Sequence, residues 1–226
     1  MTPHIVMGLS GGMDSTTLLG RFLEVGAKVH CVLFSYGSKH NTYENDAAVN
    51  VVRYYQEQGC PVTSSYVALE GVMAGFKSAL LLTGDAIPEG HYAEESMRKT
   101  VVPGRNLIMA SVMAGLAESI GATQVALGVH SGDHHIYPDC RPAFVEAANQ
   151  AILASSDGRV SVIAPFIQDT KETIIEQGLT FDIAVPYHLT RTCYKNQPIS
   201  CGKCGSCIER LEAFKLVGIE DPIPYE

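Results

Sequence analysis

Residues 4–15, His-Ile-Val-Met-Gly-Leu-Ser-Gly-Gly-Met-Asp-Ser, decide how this chain folds. Residues 4–9 form a short apolar strand, residues 10–15 (SGGMDS) a glycine turn flanked by serines, and residues 14–24 a helix. The two glycines let the backbone come close to a ligand. The free N–H groups and partial positive charge at the following helix start favour an anion there. Ser10 and Ser15 can add hydroxyl donors, and Asp14 can cap the helix or contact Mg²⁺. A Gly-rich turn with a capping Ser or Asp is the bland alternative; its place after the first strand, with a serine on each side, favours a phosphate cradle.

Working outward, residues 29–34 are a second apolar run and 62–69 a weaker third, with a helix over 41–58 between them. Gly26 and Gly59 stand where helices should stop. Residues 105–120, rich in Ala, Met and Leu, predict a buried helix. Residues 124–128 (QVALG) and 160–164 (VSVIA) predict further strands, with helices over 143–154 and 171–177. Alternation of this kind predicts an α/β fold, a doubly wound and mostly parallel sheet with helices on both faces. Residues 80–101 hold Gly, Pro and mixed charges and read as a long excursion that could close over the site.

The bulk numbers bound the function. The chain has 226 residues, 46% hydrophobic and 18% charged, enough for one sizeable core with a small appendage. A net charge of −8 argues against a nucleic-acid partner, since phosphate contacts need clustered Lys and Arg. No run approaches the roughly 18 uninterrupted apolar residues of a membrane helix. No basic-then-apolar leader is visible, so a cytoplasmic protein is expected.

Cys193, Cys201, Cys204 and Cys207 follow a Cys-x7-Cys-x2-Cys-x2-Cys spacing, with Gly202 and Gly205 interleaved. Four thiolates at this density match a closed tetrahedral Zn²⁺ site that pins the C-terminal segment; the x2 spacing leaves iron–sulfur ligation open. The expected organisation is a nucleotide domain over residues 1–190 and a helical zinc-binding lobe over 191–226. Cys31 and Cys60 read as small core residues. Cys140 reads as another, with a thioester nucleophile as the alternative.

The Walker signature is absent, because no Lys follows the glycines. The loop instead resembles the PP-loop of ATP pyrophosphatases, which cleave between the α- and β-phosphates. Three further segments narrow the resemblance: Pro103-Gly104-Arg105-Asn106, Tyr137-Pro138-Asp139-Cys140-Arg141-Pro142 and Cys193-Tyr194-Lys195 through Cys207. In this order, from the loop to Pro222, they resemble the 7-cyano-7-deazaguanine synthases (QueC) of the queuosine pathway.

That resemblance implies a Rossmann-like adenine nucleotide alpha hydrolase fold, with ATP, Mg²⁺ and Zn²⁺ as cofactors and a homodimer as assembly. It also implies 7-carboxy-7-deazaguanine and ammonia as substrates: the acid is adenylated, ammonia displaces AMP, and a second activation of the amide yields the nitrile. Leu9, Ser10, Gly11, Gly12 and Met13 would hold the nucleotide, with Asp14, Ser15, Thr16, Tyr36 and His40. Ser10, Asp14, Ser15, Arg105 and Lys171 would serve catalysis, Lys171 matching a Lys-x-x-Ile-Ile segment. Arg105, Asn106, Tyr137, Asp139 and Arg141 would bind substrate, Asp139 on the guanine-like edge and Tyr137 on the ring. For each, a turn or helix-start role is the structural alternative.

The chain departs from the family at Ser38 and Lys39, where Gln-Arg is usual, and at Arg191-Thr192, where many members have Trp-Ser. The run His130-Ser131-Gly132-Asp133-His134-His135 is also unusual. Its histidines read as packing and loop residues, with a second metal or a proton shuttle as the alternative. Two other functions fit the same features. One is a paralogue that stops at the amide or conjugates the activated base to a macromolecule. The other is a zinc-stabilised ATP-binding sensor or subunit without turnover.

Overall fold

A computed structural model describes residues 2–92 and 94–226; Met1 and Ala93, the latter inside the expected 80–101 excursion, lie outside the described residues. β1 (His4–Gly8), β2 (Lys28–Ser35), β3 (Val62–Ala68), β4 (Gln124–Ala126) and β5 (Ser161–Ile163) form one sheet. Its order is β3-β2-β1-β4-β5 and every pairing is parallel. The parallel arrangement follows from the helical crossovers, since parallel neighbours cannot be joined by tight turns.

β1 is central, and its side chains alternate between two cores as the strand period requires. Ile5 and Met7 face one core with Leu18, Leu19 and Phe22 of α1 (Met13–Glu24) and Val51, Val52 and Tyr55 of α2 (Asn41–Glu57). Val6 faces the other, with Ala110, Met113, Ala114 and Ala117 of the helix Arg105–Ile120. β3 is an edge strand, and it accordingly carries three consecutive polar residues, Thr63, Ser64 and Ser65, the first two exposed.

A short helix, α3 (Glu70–Met73), which the sequence does not signal, follows β3; the Arg105–Ile120 helix is therefore α4. α4 begins after Gly104 and ends at Gly121, whose left-handed φ of 71° lets its N–H turn back to Ala117 and Glu118 oxygens. Only one stripe of α4 is buried; Leu107 and Ile120 are exposed, so the expectation of an all-round buried helix holds for one face. α5 (Pro142–Ser155) and α6 (Lys171–Gly178) complete the α/β layers, and α7 (Gly205–Val217) packs on α6.

The segment between α3 and α4 is irregular apart from a 3-10 turn, Glu95–Thr100, but it is anchored. Leu80 and Leu81 are buried beside Tyr36, and Lys39 donates to the Gly84 and Asp85 carbonyls. Glu89 bridges to Cys204 and accepts from Lys195. Among the described residues no helix is long and apolar enough to cross a membrane.

Candidate active site

The strand order reverses between β1 and β4, and in such sheets the crevice beyond the strand carboxyl ends is where ligands bind. A cavity of about 260 Å³ opens there, lined by Gly8 and Leu9 after β1 and by Ala126, Leu127 and Gly128 from β4 onward. The SGGMDS loop leaves β1 into this cavity. Gly11 takes φ of 75°, and a Cβ there would stand 2.6 Å from the Glu44 oxygen and 2.7 Å from the Ala48 nitrogen. The loop is thus pressed against α2 in a backbone shape that a larger residue resists.

Ser10 Oγ accepts from the Gly12 N–H at 3.2 Å and shares a hydrogen bond with Ser15 Oγ at 3.1 Å. Gly12 is the N-cap of α1 and supplies no side-chain acceptor, so the first-turn N–H groups stay open for an anion. Met13 and Thr16, expected near nucleotide, are fully buried and do not line the cavity; Met13 packs with Tyr187 and Phe214.

A compact charge cluster sits beside the loop. Lys171, first residue of α6, is 7% exposed. Its Nζ lies 3.1 Å from Asp14 Oδ2 and 2.9 Å from Glu209 Oε2. Buried His130 accepts the Gly132 N–H at Nδ1, which directs Nε2 to Asp133 Oδ2 at 3.5 Å and Asp14 Oδ2 at 3.8 Å. Asp133 Oδ1 accepts from Tyr92. Burial alone would raise the Asp14 carboxyl, but Lys171 and then His130 outweigh it and hold Asp14 below its ordinary value. Burial would likewise strip the proton from Lys171; the two carboxylates keep it bound. Asp14 Oδ1 is buried without a hydrogen-bond partner among the described residues. That free carboxylate oxygen, at the mouth of an open helix N-terminus, fits a divalent cation.

Of the other expected residues, Tyr36, His40, Arg105 and Asn106 line the cavity. Arg105 stacks over the Tyr36 ring at 5.7 Å and donates to its hydroxyl at 3.3 Å. His40 pairs with Glu44 at 3.2 Å. Tyr137, Asp139 and Arg141 do not line it. Tyr137 is buried and its hydroxyl bonds Thr100 at 2.7 Å. Asp139 Oδ2 accepts the Asn106 N–H at 3.0 Å and so caps the start of α4, while Asn106 Nδ2 donates to the Asp139 carbonyl at 2.9 Å. Arg141 donates to the His134 carbonyl. Cys140 is buried, burial pushes its thiol up, and it accepts from Asn106; a thiolate nucleophile does not fit there. His134 is half-buried and His135 exposed, and they join no metal-competent cluster among the described residues.

Tyr92, Asp133, Tyr194, Ser206 and Glu209 carry no expected site role, although Asp133 lies in the histidine run and Tyr194 and Ser206 in the terminal cysteine segment; all line the cavity. For Ser206 and Glu209 a signal exists: they lie three apart, Ser206 inside the second x2 cysteine gap and Glu209 just past it, and share a helix face once α7 starts at Gly205.

Cys193, Cys201, Cys204 and Cys207 are all buried, with their Sγ atoms within 4.8 Å of one another. Tetrahedral zinc with bonds of about 2.3 Å needs sulfur separations of about 3.8 Å, so the residues fit a four-coordinate ion. Backbone N–H groups of Lys195 and Cys201 point at Cys193 Sγ, and those of Lys203 and Cys204 at Cys201 Sγ. Such donors offset thiolate charge.

The segment is pinned twice more. The Arg191 N–H donates to the Gly11 carbonyl at 2.7 Å, and its guanidinium closes the 195–198 loop through three carbonyls while stacking on Tyr43. Arg210 is fully buried and grips Asp221 with two bonds of 2.8 Å, donating also to Thr190, Thr192 and the Tyr187 carbonyl. Asp221→Asn leaves this guanidinium charged and uncompensated, a loss of about 3–5 kcal/mol. Calorimetry should then show Tm lower by roughly 6–20 °C; a shift under about 2 °C would mean that the pair contributes no net stability.

Comparison with known proteins fits this geometry. The family model described as Queuosine biosynthesis protein QueC matches residues 4–218. The "7-cyano-7-deazaguanine synthase" of Marinomonas sp. is 43% identical over 227 residues, and that of Pseudoalteromonas atlantica 40% over 229, each alignment covering all of both chains. Among solved structures, the NMN synthetase from Francisella tularensis superposes with a TM-score of 0.51 over 96% of this chain and 77% of its own, at 12% identity, a likeness of fold. A parallel sheet with the SGGMDS loop at the β1/β4 reversal, and sequence kinship running from the first strand into the last helix, place the chain in the QueC family.

Proposed function

We propose that the protein is a 7-cyano-7-deazaguanine synthase, using ATP to turn 7-carboxy-7-deazaguanine and ammonia into the nitrile. The observation that carries this reading is one cavity whose lining joins two chemistries. The open α1 N-terminus, Asp14 and Lys171 suit phosphates, and Phe34, Tyr36, Tyr92 and Tyr194 offer aromatic surface to a planar heterocycle.

A carboxylate is a poor electrophile. Its oxygen attacks the α-phosphorus of ATP, pyrophosphate leaves, and the acyl adenylate accepts ammonia, giving the amide, AMP and a proton. Activation of the amide oxygen in the same way, followed by loss of AMP and a proton, gives the nitrile. On this reading Ser10, Ser15 and the α1 N–H groups hold the departing pyrophosphate, and Lys171 meets the charge that grows on it. Asp14, through its unpartnered Oδ1, would hold Mg²⁺, which supplies charge neutralisation of the phosphates. Arg105, stacked on Tyr36, would pair with the substrate carboxylate. Asp139 acts through Asn106 rather than on the base. The four thiolates would hold Zn²⁺ in a closed structural site; their tight mutual spacing supports one ion over a cluster of several irons.

Mass spectrometry of the product from purified protein, 7-carboxy-7-deazaguanine, ammonium and Mg-ATP tests the reading. Nitrile with AMP supports it. Amide alone would move the assignment to a shortened pathway, and bound ATP without turnover would overturn it in favour of a sensor.

A further inference from the structure

The cysteine-bearing segment delivers a charged side chain to the cavity. α7 starts at Gly205, between the ligand-type residues Cys204 and Cys207, and Glu209 lies on the turn that faces the cavity. Its Oε2 stands 2.9 Å from Lys171 Nζ, and its side chain is 16% exposed. Lys171 therefore sits between two carboxylates from opposite ends of the chain, Asp14 at 3.1 Å on α1 and Glu209 on α7. A lysine carries four flexible torsions and a compact point charge, so one partner leaves its Nζ free to swing about that partner. Two partners on different helices define a position. Asp14 also keeps its other oxygen buried and unpartnered among the described residues, which leaves it open to a second duty.

We propose that Glu209 is a positioning residue for Lys171: it holds the ammonium beside the SGGMDS loop, so that the cysteine-pinned helix contributes to the chemistry as well as to the fold. The inference rests on the synthase reading above. A group that meets charge only as it develops adds to kcat and leaves ground-state ATP binding nearly untouched. Misplacing it costs on the order of 10²-fold in rate.

The experiment is a double-mutant cycle of Glu209→Gln and Lys171→Met, read by acid-dependent ATP–pyrophosphate exchange and accompanied by metal analysis of each purified protein. Glu209→Gln should keep the metal content of the parent, lose on the order of 10²-fold in kcat, and hold KM for ATP within about twofold. In the Lys171→Met background the same change should cost less than about twofold, because the group it positions is gone. A purely structural role would lower the active fraction equally in both backgrounds, so multiplying losses would overturn the proposal, as would a Glu209→Gln enzyme with the parent kcat. Should Glu209→Gln fail to hold its metal, Glu209→Asp, with the charge kept on a shorter arm, is read in the same cycle by the same criteria. An unmutated protein that shows no acid-dependent exchange takes down the synthase reading and this role with it; exchange in the parent with multiplying losses takes down only the role of Glu209.

Discussion

Lys171→Met should abolish most adenylation, lowering kcat on the order of 10²–10³-fold with little change in ATP affinity. The reasoning is electrostatic. Lys171 is buried beside the SGGMDS loop proposed to hold the phosphates, and its charge is kept there against burial by Asp14 and Glu209. In a site of low effective dielectric, a fixed cation acts strongly on charge that appears during the reaction and costs no rearrangement at that moment. Met preserves the side chain's length and apolar stem while deleting the charge. It also leaves two carboxylates facing one another, and burial already pushes the Glu209 carboxyl up despite Lys171 beside it. A lower Tm should therefore accompany the loss of rate. Stopped-assay measurement of acid-dependent pyrophosphate exchange separates the outcomes: retention of more than about a tenth of the parent kcat would remove Lys171 from the adenylation step.

The second large effect is expected at the cysteines. Cys207→Ser should release the bound metal and with it both the C-terminal segment and activity. A structural zinc site supplies about 10–16 kcal/mol of apparent binding energy that is also folding energy. Here that energy fixes the start of α7, which bears Ser206 and Glu209, and the Arg191 contact to the phosphate loop. Losing one thiolate should thus be felt across the cavity: metal analysis should find less than stoichiometric zinc, limited proteolysis should cut within residues 195–203, and turnover should vanish. A metal-free variant with the parent's rate and protease resistance would show that the cluster does not organise the site.

These two sites differ in how openly the sequence declares them. Tetrahedral ligation demands four thiols within a few ångströms, and short spacers bring them there, so Cys193 to Cys207 stand out along the chain. α4 is equally plain, because Gly104 and Gly121 punctuate its ends. The strands are legible in place; β2 runs one residue longer at each end than its apolar run, and the others stop short, β4 at Ala126 where the ladder to β5 ends. The charge cluster is another matter. Asp14, Asp133, Lys171 and Glu209 are far apart in sequence and meet only where α1, α6, α7 and the Ser131–His135 turn converge. No local period marks them. Asp139 shows the converse: its setting beside Pro138 draws the eye, yet its carboxylate is taken up by the Asn106 amide in the first turn of a helix more than thirty residues away. Tyr92 is found only because an irregular segment, anchored by Lys39 and Lys195, is carried over the cavity rim.

The bond from the Arg191 N–H to the Gly11 carbonyl sets an order of events in time. In synthesis the loop at Gly11 emerges well before the Arg191 amide that braces it. Until then it has β1 and α1 but no brace, no Lys171 and no α7. The cavity is thus walled only when the sheet is formed and the cysteine-bearing segment has folded onto it.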